Sequence, residues 1–175
     1  MIMKRILLTI AILFATLAGV SAMSLPEAYR ALCNVPNMSQ TEIPRTSSIN
    51  YNSATDSIAN VAIASATGLD AARILQTGNA VYTILNQVPL EYMINGANNN
   101  LVSAFIYATP TADNRYDCLM VLMSGYAGDV GIISMTCDKN IKEELQNAVV
   151  TMRGASLTIK SPKGSDIDIV IGSGL

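Results

Sequence analysis

The chain has 175 residues, half of them hydrophobic, with 11 basic and 13 acidic side chains and a formal charge of −2. It contains no histidine, which excludes Ser-His-Asp and Cys-His catalysis and His-containing zinc sites within the chain. No run of Lys or Arg supplies the clustered basic face that nucleic acid or an anionic membrane surface would need.

Residues 1–22 read as a secretory signal peptide. Lys4 and Arg5 form a positive start, an apolar run extends from Ile6 to Leu17, and Val20-Ser21-Ala22 supplies a small-x-small cleavage pattern ending at Ala22. The run is shorter than the roughly 20 residues that a bilayer span requires. A lipoprotein would need a cysteine directly after the cleavage pattern, and the first cysteine is Cys33. The expected product is exported, periplasmic or extracellular, with residues 23–175 forming a single globular domain around an ample apolar core.

In chain order, Ser24-Leu25-Pro26-Glu27 is a capping box with an early proline, so a helix is predicted from there to about Asn34. Gln40 to Ile43 is predicted as a short strand and Thr46 to Asp56 as a loop. Ser57 to Ala66 fits a helix period through Ile58, Val61, Ala62 and Ser65, yet Ile58 to Ile63 also suits a strand; helix is the favoured reading. Ala72 to Gln76 reads as a short buried strand. Asn79 is placed as the cap of a second helix carrying Val81, Ile84, Leu85 and Val88, ended by Pro89. Asn95-Gly96 through Asn100 reads as a turn.

Leu101 to Ala108, Tyr116 to Met123 and Val130 to Cys137 are three predicted strands, joined by turns at Pro110–Asn114 and Ser124–Asp129. Such short loops imply antiparallel pairing. Asn140 with Glu143 suggests a capping box for a helix whose apolar face is Ile141, Leu145, Ala148, Val149 and Met152, stopped by Gly154. Leu157/Ile159 and Ile167/Ile169/Ile171 alternate with polar residues in two further strands. The predicted fold is α+β, a mainly antiparallel sheet with helices packed on one face.

Among candidate sites, the three cysteines come first, because an exported chain meets oxidising conditions. Placing Ser124 opposite Asp129 puts Cys118 opposite Met135, with Cys137 a diagonal neighbour on the same face; a register shift of two would oppose the cysteines directly, and either way both thiols share a face. The pair is a candidate disulfide, although diagonal α-carbons about 7–8 Å apart make a bridge harder than direct opposition would. Cys33 is then the odd thiol. Met120 and Met123 beside Cys118 evoke a soft copper site, but alternation sends Met123 to the other face and favours core filling. Asp166 and Asp168 share a face with too few oxygens for calcium; keeping a strand soluble is the simpler role. Glu143 and Glu144 suit helix capping better than acid–base work. Tyr107, Tyr116 and Tyr126 could offer a stacking surface to a glycan or peptide, or simply pack. No catalytic, cofactor or metal residue is assigned.

Leu32-Cys33-Asn34-Val35-Pro36-Asn37-Met38, the Tyr116-Asp117-Cys118-Leu119-Met120 strand with its hairpin partner, and the Ile141–Met152 helix resemble a family of small exported bacterial proteins built on a domain of unknown function. The resemblance spans most of Leu25 to Gly154. Members are often lipoproteins, whereas this chain has no lipidation cysteine, and the family carries no catalytic residues to transfer. The expected function is a non-enzymatic binding or structural module of the bacterial cell envelope. Its partner would be an envelope protein, peptide or glycan, with no cofactor, no nucleic acid and no membrane span after cleavage. Two alternatives stay open. A His-independent enzyme using carboxylate or lysine chemistry predicts a pocket of convergent Asp, Glu or Lys. An apolar small-ligand carrier predicts a large pocket lined by Ala, Val and Met.

Overall fold

The computed structural model describes residues 22–41, 49–50, 58–98, 102–147, 149–153, 156–160 and 166–170. Apart from Ala22, the predicted leader lies outside the described residues. The helices are α1 (Leu25–Cys33), α2 (Ala71–Leu85) and α3 (Lys139–Gln146). The strands are β1 (Ser39–Thr41), β2 (Ile49–Asn50), β3 (Ile58–Ala66), β4 (Met93–Asn98), β5 (Ser103–Pro110), β6 (Tyr116–Ser124), β7 (Asp129–Cys137), β8 (Val149–Arg153), β9 (Ser156–Lys160) and β10 (Asp166–Val170). One sheet has six strands in the order β1-β3-β7-β6-β5-β4, and a second has four in the order β2-β10-β9-β8. Every described pairing is antiparallel. The fold class is α+β, as predicted.

The central strands of the six-stranded sheet explain its layers. β6 is buried without interruption from Cys118 to Ser124, so both of its faces need cover. Ala104, Ile106, Cys118, Met120, Leu122, Ile133, Met135 and Cys137 face Ile141 and Leu145 of α3. Tyr107, Leu119, Val121, Met123, Val130 and Ile132 face Leu25, Ala28 and Leu32 of α1 and Val81 and Leu85 of α2. Two helices therefore share one face as expected, while the short α3 covers the other. Each fully buried Leu, Ile or Met in these layers contributes about 1.5–3 kcal/mol.

Helix α1 starts as its sequence implies. The Ser24 backbone N–H donates to Glu27 Oε2 at 3.0 Å, and the Ser24 hydroxyl donates to the same oxygen at 2.6 Å. These two bonds hold the Glu27 carboxyl below the usual carboxylate range, the hydroxyl contributing most. At the other end Asn34 Nδ2 donates to the Arg30 carbonyl at 2.9 Å.

Several expectations are corrected. The favoured helix at Ser57–Ala66 is strand β3, and a bulge between Ala59 and Ala62 explains the misleading pattern. Asn60 adopts φ 53° there, so Ile58, Val61 and Ile63 all pack on the α3-side core. The extra residue turns strict alternation into a helix-like spacing of three. Ala72–Gln76 is not a strand, and Asn79 is not a cap. Both lie inside α2, whose cap is Asp70, its carboxylate accepting from Arg73 N–H at 2.9 Å. Thr77, fully buried in that helix, donates to the Pro36 carbonyl at 3.2 Å and accepts from Asn37 Nδ2 at 3.0 Å. Those tertiary bonds hold a helix through a Thr-Gly-Asn run that reads locally as a turn. Helix α2 ends at Leu85 rather than at Pro89, which instead precedes a 3-10 turn at Leu90–Tyr92.

The expected turn at Asn95–Asn100 is β4 as far as Asn98, paired with β5. Asn95 Nδ2 donates to the Leu145 carbonyl at 3.0 Å and so closes the end of α3. Helix α3 is capped by Asp138, not Asn140, through Ile141 N–H at 2.9 Å. It ends at Gln146, and the β-branched Val149-Val150-Thr151 run joins strand β8, paired with β9. In the expected loop at Thr46–Asp56, Ile49–Asn50 pairs with β10; the remainder, like Gly154, lies outside the described residues.

The turn between β6 and β7 is joined to the start of α2 by backbone contacts. Leu69 N–H donates to the Gly128 carbonyl at 2.9 Å, and Gly68 N–H donates to Asp129 Oδ1 at 2.9 Å. Gly128 has φ +70°, and a Cβ placed there would sit 2.1 Å from the Leu69 carbonyl oxygen. Only glycine meets both requirements. Gly128→Ala is expected to cost about 2–5 kcal/mol from left-handed strain plus the steric overlap. Urea denaturation measures this, and a loss below 1 kcal/mol, roughly an ordinary surface change, would contradict it.

Candidate functional site

Helix α2 carries two stripes. Thr77, Val81 and Leu85 point into the core. Ala71, Ile74, Leu75, Gly78, Asn79 and Tyr82 recur at intervals of three and four, so they share a second face. That second face does not close on the sheet. With Val102, Ser103, Met123 and Gly125 it lines a groove of about 480 Å³, open to solvent along its rim. This lies within the about 300–1,000 Å³ typical of small-molecule sites.

Local geometry explains each wall. The floor is a cross-strand pair, because Ser103 of β5 is the register partner of Met123 of β6. Gly125 follows at the turn whose far end is fixed by Gly128 and Leu69. Gly78 faces Met123 across the groove; a Cβ there would meet Met123 Sδ at 4.0 Å, an ordinary contact. At one end the Tyr82 ring meets Phe105 edge to face, with centroids 5.7 Å apart and an interplanar angle of 82°. At the rim Leu75 is 65% exposed, and Tyr126, next to Gly125, is 89% exposed.

The lining contains no Asp, Glu, Lys or Arg. Its polar groups are neutral: the Asn79 amide, the Ser103 hydroxyl and the Tyr82 phenol. The Ser103 hydroxyl donates to Asn98 Oδ1 at 3.0 Å. Such walls suit an apolar molecule with at most a neutral polar group, because an ion placed there would lose hydration without gaining a counter-charge. The Met123 thioether adapts its shape to what lies against it.

The residues singled out from sequence fall elsewhere, except Met123. Cys118 and Cys137 are buried on the α3 face in the register expected, Ser124 opposite Asp129 and Cys118 opposite Met135. Their sulfurs are 3.1 Å apart. Cys33 is buried on the opposite face with α1, where burial pushes its thiol pKa up against weaker opposing bonds from Tyr29 and Gln40. Met120 and Met123 lie on opposite faces. Tyr107 and Tyr116 also pack on opposite faces, and Tyr126 sits in the turn, so the three tyrosines do not form one surface. Glu143 pairs with Lys139 at 3.8 Å on the helix exterior, while Glu144 is buried. Asp166 and Asp168 pair in register with Lys160 and Thr158. Among the described residues no group of three or more Cys, Asp or Glu converges to hold a metal ion. Among the same residues no helix is long and apolar enough to cross a membrane.

Sequence reasoning missed the groove because it divided α2 in two. The signal was present: Ala71, Ile74, Leu75, Gly78 and Tyr82 fall on one stripe once the helix is read from Asp70 onward. No known protein family, curated protein or solved structure matches the chain.

Proposed function

We propose that this chain is an exported, non-catalytic binding module whose groove holds an apolar molecule or acyl chain with a neutral head. The observation that carries the reading is the second stripe of α2. It sets five apolar or small residues opposite Met123 and Val102, with no Asp, Glu, Lys or Arg among the walls. Apolar surface kept open on a folded domain usually marks a binding site.

Export enters through the leader at residues 1–22, and the resemblance to small exported bacterial proteins points to the same compartment. Two observations favour cleavage after Ala22. Ala22 is exposed, and Met23 N–H donates to the Gln87 carbonyl at 3.0 Å, so the residue after the cut already belongs to the fold.

The binding reading is tested by titration with N-phenyl-1-naphthylamine, an uncharged dye that brightens in apolar surroundings. The expected result is one saturable site, competed by a medium-chain alcohol. Gly78→Phe, which fills the groove, should weaken binding by about tenfold or more, and Leu75→Glu should weaken it less. Undiminished binding to a folded Gly78→Phe variant would refute the site. N-terminal sequencing of protein recovered from the periplasm should begin at Met23; an intact Met1 would overturn the cleavage reading.

A further inference from the structure

We infer that Cys118 and Cys137 are joined by an intrachain disulfide bond that closes the open end of the β6–β7 hairpin. The inference does not rest on the groove, which lies on the other face of the sheet. Tyr116 opposite Cys137 is the outermost pair of the β6–β7 ladder. Cys118 and Cys137 are therefore diagonal neighbours at the end farthest from the turn at Gly125–Gly128. Diagonal cysteines are ordinarily less well placed than directly opposed ones. Here the two side chains lean together, in keeping with sheet twist, which shortens one diagonal at the expense of the other.

The sulfurs lie 3.1 Å apart, inside the about 3.5–4.0 Å at which non-bonded heavy atoms normally rest. A bond of about 2.05 Å needs a further approach of about 1 Å, within reach of side-chain rotation. Both side chains are buried, at 1% and 0% exposure. Cys33 belongs to the core on the opposite face, so the folded chain accommodates a bridge between Cys118 and Cys137 and not one from either of them to Cys33. Cys137 directly precedes Asp138, the cap of α3. The bridge would thus hold together a strand end, its neighbour and a helix start, where fraying would otherwise begin.

The bond forms by exchange with a small-molecule or protein disulfide. The thiolate of one cysteine attacks the donor, making a mixed disulfide and releasing one donor thiolate. The thiolate of the second cysteine then attacks the protein-side sulfur and releases the other. Two protein thiols and one donor disulfide become one protein disulfide and two donor thiols; the donor takes the two electrons, and the two protons pass to its thiolates. In the folded reduced chain the hydrogen bond between the Cys118 and Cys137 thiols, and after it burial, raises the Cys118 thiol pKa well above its ordinary value. Exchange therefore belongs to the unfolded or opened chain, and oxidation accompanies folding.

The chain refolded from urea in a buffer of oxidised and reduced glutathione tests this directly. Alkylation with iodoacetamide in denaturant, followed by intact mass and peptide mapping, should find one reactive thiol, at Cys33, and a Cys118–Cys137 linked peptide. All three cysteines should alkylate after reduction, and Cys33→Ser should retain the bridge. Reduction should lower the Tm by about 6–12 °C and leave dye affinity unchanged. Three alkylated thiols after refolding, a bridge containing Cys33, or a Tm indifferent to reduction would each overturn the proposal.

Discussion

The backbone of Leu69 rests against the backbone of Gly128, and the geometry of the groove follows from that contact. On one side Leu69 leads at once into Asp70, the cap that starts α2. On the other side Gly128 belongs to the turn that carries Gly125, part of the opposite wall. Leu69 N–H on the Gly128 carbonyl and Gly68 N–H on Asp129 fix the two segments at one junction. The direction of the helix and the position of the hairpin are thus set together. Gly78 then faces Met123 across the groove, and Tyr82 against Phe105 sets the other end.

The sheet imposes the second constraint. Its central strands are apolar on both faces, so neither face can be left to water. On one side α3 packs against the sheet, held by Asp138 at its start and by Asn95 from the edge strand β4 at its end. On the other side α1 and α2 share the work. Helix α2 crosses from β3, near one edge, to β4 at the opposite edge, because β3 and β4 are its neighbours in the chain. One stripe of the helix completes the core. The second stripe remains over the Ser103–Met123 pair without closing on it, which is how the apolar groove arises.

Legibility in the sequence followed how local each determinant is. The start of α1 was readable because Ser24, Pro26 and Glu27 make a self-contained signal. The hairpin of β6 and β7 was readable, and its register was narrowed to two alternatives, because its turn is short and both strands are continuous runs; the structure has Ser124 opposite Asp129. That register puts Cys118 diagonal to Cys137; the sequence placed both thiols on one face, although not how far their side chains lean together. Strand β3 was obscured by its bulge, which spaces Ile58 and Val61 by three residues, as a helix would. Helix α2 was divided at Thr77-Gly78-Asn79 because what stabilises that stretch is tertiary: Thr77 bonds to Pro36 and Asn37, about forty positions earlier. The end of α3 was extended too far because Val149 and Met152 suit a helix face, whereas pairing with β9 decides their state. With α2 divided, its outward stripe, and with it the groove, could not be recognised.

The central claim is that an apolar molecule occupies the space between α2 and the Ser103–Met123 pair. Two-dimensional 1H–15N NMR of the folded protein during titration with decan-1-ol tests it residue by residue. The account predicts saturable shifts concentrated at Ala71–Tyr82, Val102–Ser103 and Met123–Gly125, with the α3 face around Cys118, Ile141 and Leu145 unmoved. Saturable shifts centred on the α3 face, or no saturable shift at all, would contradict it.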